Sequence, residues 1–368
     1  DSILPGGIYI IAGQSNNKYF ELLVDKATRF SVKSSMNGIP GQLKFKGSDD
    51  NALFYYFVNE NIRRRKMIEA MLKRNEGVEP GSDSAKLLKD EVDNLYTGLS
   101  EFEDSLINAH PASFVSVILK AKQEPGLKPA RFLENGREDT VYAYQSYKKH
   151  FWDNLNPADE RLLRTPLYHK RLKNYFENVL YQDPDTLIAE ADKFIEKASA
   201  NRETFKYSVW YLTYKFETSN VMGFDEVFVH MVDHYYAKGL AYWTEESVVK
   251  SLVNRADELR NVLIGSEAPN LILLDTDGSF KALYSEEADY LIVLFYEYGC
   301  GHCRKEINAL KAWYQDCELD VKVFAVNTDT SLVEWRNFII EQDLPWIHVN
   351  ATRSITQDYH TLYDISVT

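Results

Sequence analysis

Tyr290-Leu291-Ile292-Val293-Leu294-Phe295-Tyr296, followed after Glu297-Tyr298-Gly299 by Cys300-Gly301-His302-Cys303-Arg304-Lys305-Glu306-Ile307, is the stretch that decides the fold. An unbroken apolar run of this length reads as a buried strand, and the residues after Cys300 suit a helix. Two thiols three positions apart at a strand-to-helix turn set Cys300 over the unpaired N–H groups of the helix's first turn. Partial positive charge there favours thiolate over thiol. Cys303 lies one turn inside, close enough to resolve a mixed disulfide, so the pair reads as a redox dithiol.

The cysteine count narrows the choice. The chain has 3 Cys in 368 residues, and Cys317 has no His or Cys neighbour at ligand spacing. A structural zinc site needs four ligands, and the histidine after His302 is His348, so no local tetrahedral set can form. We expect no metal and no cofactor. Cys317 reads as a small packed hydrophobe. Structural disulfides are not expected in a chain long enough to build its own core.

With 45% hydrophobic and 26% charged residues, the chain should hold two or three globular units. The formal charge of -13, from 42 Lys and Arg against 55 Asp and Glu, argues against a nucleic-acid partner. The basic run Arg63-Arg64-Arg65-Lys66 reads as a solvated helix face. No apolar stretch approaches the roughly eighteen residues of a membrane span. The sequence opens at Asp1 with neither Met nor leader, which reads as a processed or trimmed chain.

Residues 1–48 alternate in strand fashion at 7–11, 19–24, 29–32 and 42–46, and are expected to form one small antiparallel sheet, the remaining part of a larger β domain. Residues 49–263 follow helical periods, with Ser48-Asp49-Asp50-Asn51 as the first cap. Helices are expected at 85–108, 111–121, 140–151, 166–181, 185–200, 202–217, 223–237 and 245–260. Gly77 to Ser82 and Glu124 to Pro129 break the pattern. No repeat near 34 residues is present, so the expectation is an irregular helical bundle rather than a solenoid. Within it, His230 and His234 stand at metal-ligand spacing with Asp233 and Asp225 near. Their surroundings of Phe224, Val227, Phe228, Met231 and Tyr235 instead favour packing histidines. The aromatic cluster Tyr207, Trp210, Tyr211, Tyr214 and Phe216 likewise reads as core rather than a peptide groove.

From Ile264 onward the pattern is α/β. A strand at 271–274 leads into the tight turn Asp275-Thr276-Asp277-Gly278, then come the strand at 290–296 and the dithiol helix from Cys300 to Cys317. A buried strand at 321–327, a helix at 332–342 and a short extended piece at 346–349 complete a parallel βαβ arrangement.

Ala268-Pro269, Asp277-Gly278, the Cys300-Gly301-His302-Cys303 site and Glu306 together resemble a thioredoxin-fold domain of the TlpA/ResA-like branch, spanning 264–368. The helical region, with Tyr147 to Pro166 and Val221-Met222-Gly223, resembles the uncharacterised segment preceding such domains in secreted Bacteroidetes proteins. Residues 1–48 resemble the latter part of their N-terminal β domain. The resemblance implies a multidomain α+β chain and an exported thiol-disulfide oxidoreductase, periplasmic or lipid-anchored. Protein disulfides would be its substrates and a thiol its electron donor. It also implies that Tyr298, Gly299, Val367 and Thr368 flank the substrate. The family carries a cis-proline after a Val-Thr pair; here the sequence ends at Val367-Thr368, so the fold is expected to be incomplete at that edge, lacking its last two strands and final helix.

Two departures bear on proton handling. Gly299 stands where a tryptophan is common, with Tyr298 before it, and Leu294 stands where cytosolic thioredoxins place an acid. Glu306 is on roughly the same helix face as Cys303 and could take its proton; the same residue also reads as a first-turn carboxylate complementing the helix dipole. Glu297 is the weaker candidate. Cys300 as thiolate would attack a substrate disulfide and Cys303 would resolve the adduct. A protonated His302 would stabilise the Cys300 thiolate and make the disulfide more oxidising. Gly-His is also the dipeptide of protein disulfide isomerases, which sets the expected potential at about -180 to -270 mV. A peroxidase of the peroxiredoxin type would need Thr or Ser where Glu297 stands. The stronger rival is a binding protein in which the helical region grips a peptide or envelope component.

Overall fold

The structure is a computed structural model that describes residues 3–12, 19–26, 29–35, 42–75, 78, 82–126 and 130–365. Val367 and Thr368, most of the Gly77 to Ser82 break and Leu127 to Pro129 lie outside these residues. The chain divides into two compact units, Asp1–Trp210 and Tyr211–Thr368.

The first unit begins with two antiparallel pairs, β1 (Gly7–Ala12) with β2 (Tyr19–Val24), and β3 (Ser31–Lys33) with β4 (Lys44–Lys46). These are separate two-stranded sheets, not the single sheet expected from the alternation. The reason lies in α1 (Asp49–Asn75). Its buried Asn51 accepts from the Leu23 N–H at 2.9 Å and donates to the Leu23 carbonyl at 2.7 Å. The Tyr55 hydroxyl makes the corresponding pair of bonds with Glu21, at 3.2 and 2.9 Å. Helix side chains thus saturate the β2 edge that a third strand would have used. The β1 side of the hairpin lies against the short helical turn Glu160–Arg164. A Cβ added to Gly6 there would come within 2.6 Å of Arg161 Cγ.

Helices α1 and α2 (Asp83–Ala109) run together, followed by α3 (Phe114–Lys122), α4 (Thr140–His150), α5 (Pro166–Asn174), α6 (Pro184–Ala198) and α7 (Arg202–Glu217). The core gathers Phe114, Phe151, Tyr168, Phe176, Leu187 and Phe194, all at or below 2% exposure. Within the basic run Arg63, Arg65 and Lys66 are exposed, whereas Arg64 is partly buried. It donates to the Gly98 carbonyl of α2 at 3.1 Å and stacks over Phe102, while Arg63 pairs with Glu60. The aromatic cluster on α7 is split by helix periodicity: Tyr211 and Phe216 are buried, but Trp210 and Tyr214 are about half exposed.

The second unit contains α8 (Phe224–Met231) and α9 (Glu246–Arg260), then β5 (Ile272–Asp275), β6 (Phe280–Ala282), β7 (Tyr290–Tyr296), α10 (Gly301–Gln315), β8 (Val321–Asn327), α11 (Leu332–Gln342), β9 (Ile347–Ser354) and α12 (Tyr359–Tyr363). Both α5 and α8 continue into a wider π turn, at Tyr175–Val179 and Val232–Tyr236, where the sequence period suggested unbroken α-helix. The sheet order is β6-β5-β9-β8-β7, with β7, β8 and β9 parallel and β5 antiparallel to both β6 and β9. Instead of the short piece expected at 346–349, β9 runs to Ser354, because its far end pairs with β5.

Alternation along β8 builds the two cores. Val323 and Ala325 face Ile307 of α10 and Trp335 and Phe338 of α11. Phe324 and Val326 face Leu271, Leu273 and Leu283, with Tyr359 and Tyr363 of α12 packed against them. Arg255 of α9 clasps the carboxylate of Asp364, just past α12, with both guanidinium nitrogens.

Candidate functional site

The dithiol sits where β7 ends and α10 begins. Cys300 is the N-cap residue of α10, with extended backbone (φ -80°, ψ 121°), and its Sγ accepts from the Cys303 N–H at 3.4 Å. The sulfur thus takes the place of the usual capping oxygen and faces the unpaired donors of the first turn. Cys300 N–H donates to the Glu297 carbonyl at 3.2 Å, and Arg304 N–H to the Cys300 carbonyl at 3.1 Å. Both cysteines are free thiols and partly buried.

Their acidities diverge. The Cys303 backbone N–H, then the Cys303 side chain and the His302 N–H, hold the Cys300 thiol below its ordinary value, against opposition from burial and the Glu297 charge. Burial pushes the Cys303 thiol up, Cys300 and the Glu297 charge add to that, and a backbone hydrogen bond at Glu297 opposes it. The Cys300 thiol is thus held toward the thiolate form, while Cys303 is held toward the thiol and packs against the core of α10 and α11.

The other residues singled out in the sequence fall around this pair unevenly. His302 and Glu306 are exposed on α10. What His302 brings to the Cys300 sulfur is its backbone N–H. Glu306 is not among the groups acting most strongly on either sulfur, whereas Glu297 acts on both. Gly299 and Gly301 are exposed, and a Cβ added to either would meet nothing within 4 Å. Leu294 packs in the core beneath α10. In the other constellation, the rings of His230 and His234 stack at 3.9 Å, and Asp233 is committed to Arg260 by bonds of 2.8 and 2.7 Å. No group of three or more His, Cys, Asp or Glu among the described residues could hold a metal ion.

Tyr298 is held more tightly than its place in a glycine-rich turn suggested. Its N–H donates to Asp329 Oδ2 at 2.7 Å, its carbonyl accepts from Arg304 Nε at 2.9 Å, and its hydroxyl donates to Glu334 Oε2 at 2.6 Å. Asp329 and Glu334 were not foreseen. The available signal was Asn327-Thr328-Asp329 at the carboxyl end of a parallel strand, beside the end of β7, which is where open α/β sheets place their sites.

A strand-turn-helix dithiol on this mixed sheet has a clear family counterpart, the model described as AhpC/TSA family, which matches residues 264–365. Residues 264–365 are similar to the AhpC/TSA family. This part of the chain is a thioredoxin-fold, thioredoxin-like oxidoreductase domain. Residues 137–256 match a different family, a domain of unknown function (DUF5106). No curated protein matches the chain.

Several solved structures are similar. A thioredoxin-like protein from Bacteroides caccae is 19% identical over 66% of this chain and 89% of its own, with a TM-score of 0.46. A domain described as a possible thiol-disulfide isomerase, from Cytophaga hutchinsonii, is 34% identical over 29% of this chain and 73% of its own, with a TM-score of 0.27. The thioredoxin domain of a thiol-disulfide oxidoreductase from Bacteroides vulgatus is 27% identical over 28% and 74%, with a TM-score of 0.25.

Proposed function

We propose that the AhpC/TSA domain is a thiol-disulfide oxidoreductase that reduces protein disulfides through Cys300 and Cys303. The observation that carries this reading is the Cys300 sulfur capping α10, lowered in pKa by the Cys303 N–H, beside a Cys303 thiol raised by burial. The Cys300 thiolate attacks one sulfur of a substrate disulfide; that S–S bond breaks, a Cys300–substrate bond forms, and the departing thiolate takes a proton. Cys303 then gives up its proton and attacks Cys300 Sγ, releasing the second substrate thiol and leaving an internal disulfide. Two electrons have passed from protein to substrate, and a dithiol donor restores the reduced pair. Glu297, whose charge reaches both sulfurs, is the better-placed proton acceptor for Cys303; Glu306 remains the alternative one turn along α10.

The same reading assigns Tyr298 and Gly299, with Val367 and Thr368, to the edge that meets the substrate. It also places the chain in the cell envelope, exported and periplasmic or lipid-anchored. Glu297, three residues before Cys300, opposes the thiolate, which disfavours a peroxidase.

The test is a redox titration of the dithiol against a glutathione series, with Cys303→Ser as companion. We expect one two-electron transition at about -180 to -270 mV. The variant should accumulate mixed disulfides through Cys300. Failure of the wild-type chain to form the Cys300–Cys303 disulfide overturns the redox reading and leaves the binding role.

A further inference from the structure

In the segment that presents Cys300, the Tyr298 ring packs against the core of α10 and α11, but the residues after it have almost no packing of their own. Gly299 and Gly301 stand in open space on either side of the cysteine, and His302 is exposed. A turn with two glycines has much conformational freedom to lose. Yet Cys300 acts as drawn only if its sulfur stays over the Cys303 N–H, so something other than packing must fix it.

The fixing is polar and centres on the peptide groups of Tyr298. The Tyr298 N–H is bound by Asp329 and the carbonyl by Arg304, the residue after Cys303, whose guanidinium also lies 5.2 Å over the Phe338 ring. Asp329 is itself locked. Its Oδ2 also accepts from Asn327 Nδ2 at 3.3 Å, and its carbonyl accepts from Asn350 Nδ2 at 2.9 Å. Asn350 Nδ2 also donates to Asn327 Oδ1 at 2.9 Å, and both asparagines are fully buried. Asp329 is therefore tied to the end of β8 through its carboxylate and to the middle of β9 through its carbonyl, and the carboxylate reaches across to the turn after β7. Charge-assisted bonds of this kind are stronger than neutral ones. Asp329 is not among the groups that act most strongly on either sulfur, so its leverage is geometric.

We infer that Asp329 is a positioning residue of the dithiol, holding the Tyr298-Gly299-Cys300 turn so that the Cys300 sulfur stays over the first turn of α10. This deepens the proposed function and rests on Cys300 being the reactive sulfur. Loss of the carboxylate frees the turn, the capping bond to Cys303 N–H is made only part of the time, and the Cys300 thiol returns toward ordinary acidity.

The experiment measures the pH midpoint of iodoacetamide alkylation at Cys300, in the full chain with Cys303 and Cys317 changed to Ser. Asp329→Ala and Asp329→Asn are compared with the unsubstituted background. Asp329→Ala should raise the midpoint by about one pH unit, seen as roughly tenfold slower alkylation on the acid side. Asp329→Asn keeps an oxygen that can accept from Tyr298 N–H, and should stay within about twofold of the background. An unmoved midpoint in Asp329→Ala overturns the inference, even if that variant melts at a lower temperature. Equal shifts in both variants overturn it too, because charge and not position would then be the cause. Alkylation needs no redox cycle, so failure of the wild-type chain in the glutathione titration would sink the proposed function while leaving this measurement to decide on Asp329.

Discussion

His348 is a histidine kept from titrating. On β9 it lies 6% exposed in the row of Leu294 and Ala325, its Nδ1 3.4 Å from the Tyr296 hydroxyl, which itself accepts from Trp335 Nε1 at 2.8 Å. Its Nε2 is buried with no partner. Burial drives its pKa down to about 4 from 6.5, against a backbone hydrogen bond at Leu344. The folded protein therefore keeps His348 neutral between these values while the unfolded chain takes up a proton. Below about pH 6.5 the unfolded state binds more protons, so stability should fall as pH drops from 6.5 to 4, by up to about 3 kcal/mol from this residue. Denaturant titrations across that window check the slope, and His348→Gln should flatten it. The sequence showed a histidine near the end of the chain and nothing of this; only the register of β8 with β9 turns it inward.

Among the elements, the N-terminal strands were legible as strands but not in their pairing. Period-two alternation reports which residues are extended, whereas partner choice depends on what else can satisfy an edge. Asn51 was read as part of a helix cap, and it does hydrogen-bond to Ser48. Its larger role, closing the edge of β2, is a long-range contact that a local pattern does not carry. Asn51→Leu leaves the Leu23 N–H and carbonyl buried without partners, and should cost about 2 to 4 kcal/mol. Thermal unfolding of the variant measures it. A loss below about 0.5 kcal/mol would mean that the edge has another source of hydrogen bonds. The thioredoxin-fold elements were the most readable, because a continuous apolar run, a turn and a helix recur at short range there. What escaped was again non-local: the extension of β9 to pair with β5, and the Asp329 tie to the dithiol turn.

On the scale of the whole molecule, the compact unit that carries the dithiol begins at Tyr211 and so takes in α8 and α9 along with the AhpC/TSA domain. The sequence shifts pattern only at Ile264, because helices that pack against an α/β domain look like any other amphipathic helices. We propose 1–48, 49–263 and 264–368 as the domains; the boundary between the last two lies near the end of one family match at 256 and the start of the other at 264. The Arg255–Asp364 clasp is where the helical segment takes hold of the redox segment within this unit. No helix among the described residues is long and apolar enough to cross a membrane.

The bare flank of the dithiol separates two properties that mutagenesis usually confuses. Because an added methyl group at Gly299 would touch nothing, Gly299→Ala should leave the melting temperature within about a degree and the reduction potential unaltered. Any loss of rate toward a given disulfide would then report steric exclusion of the incoming polypeptide, and its size would measure how closely that polypeptide's backbone approaches. A panel of disulfide peptides of graded bulk next to the cysteine, tried on Gly299→Ala and the parent chain, would trace the clearance that this protein leaves for its clients. Equal rates on every peptide would show that clients dock elsewhere. The emptiness around Gly299 is thus a gauge already built into the surface, readable before any client is known.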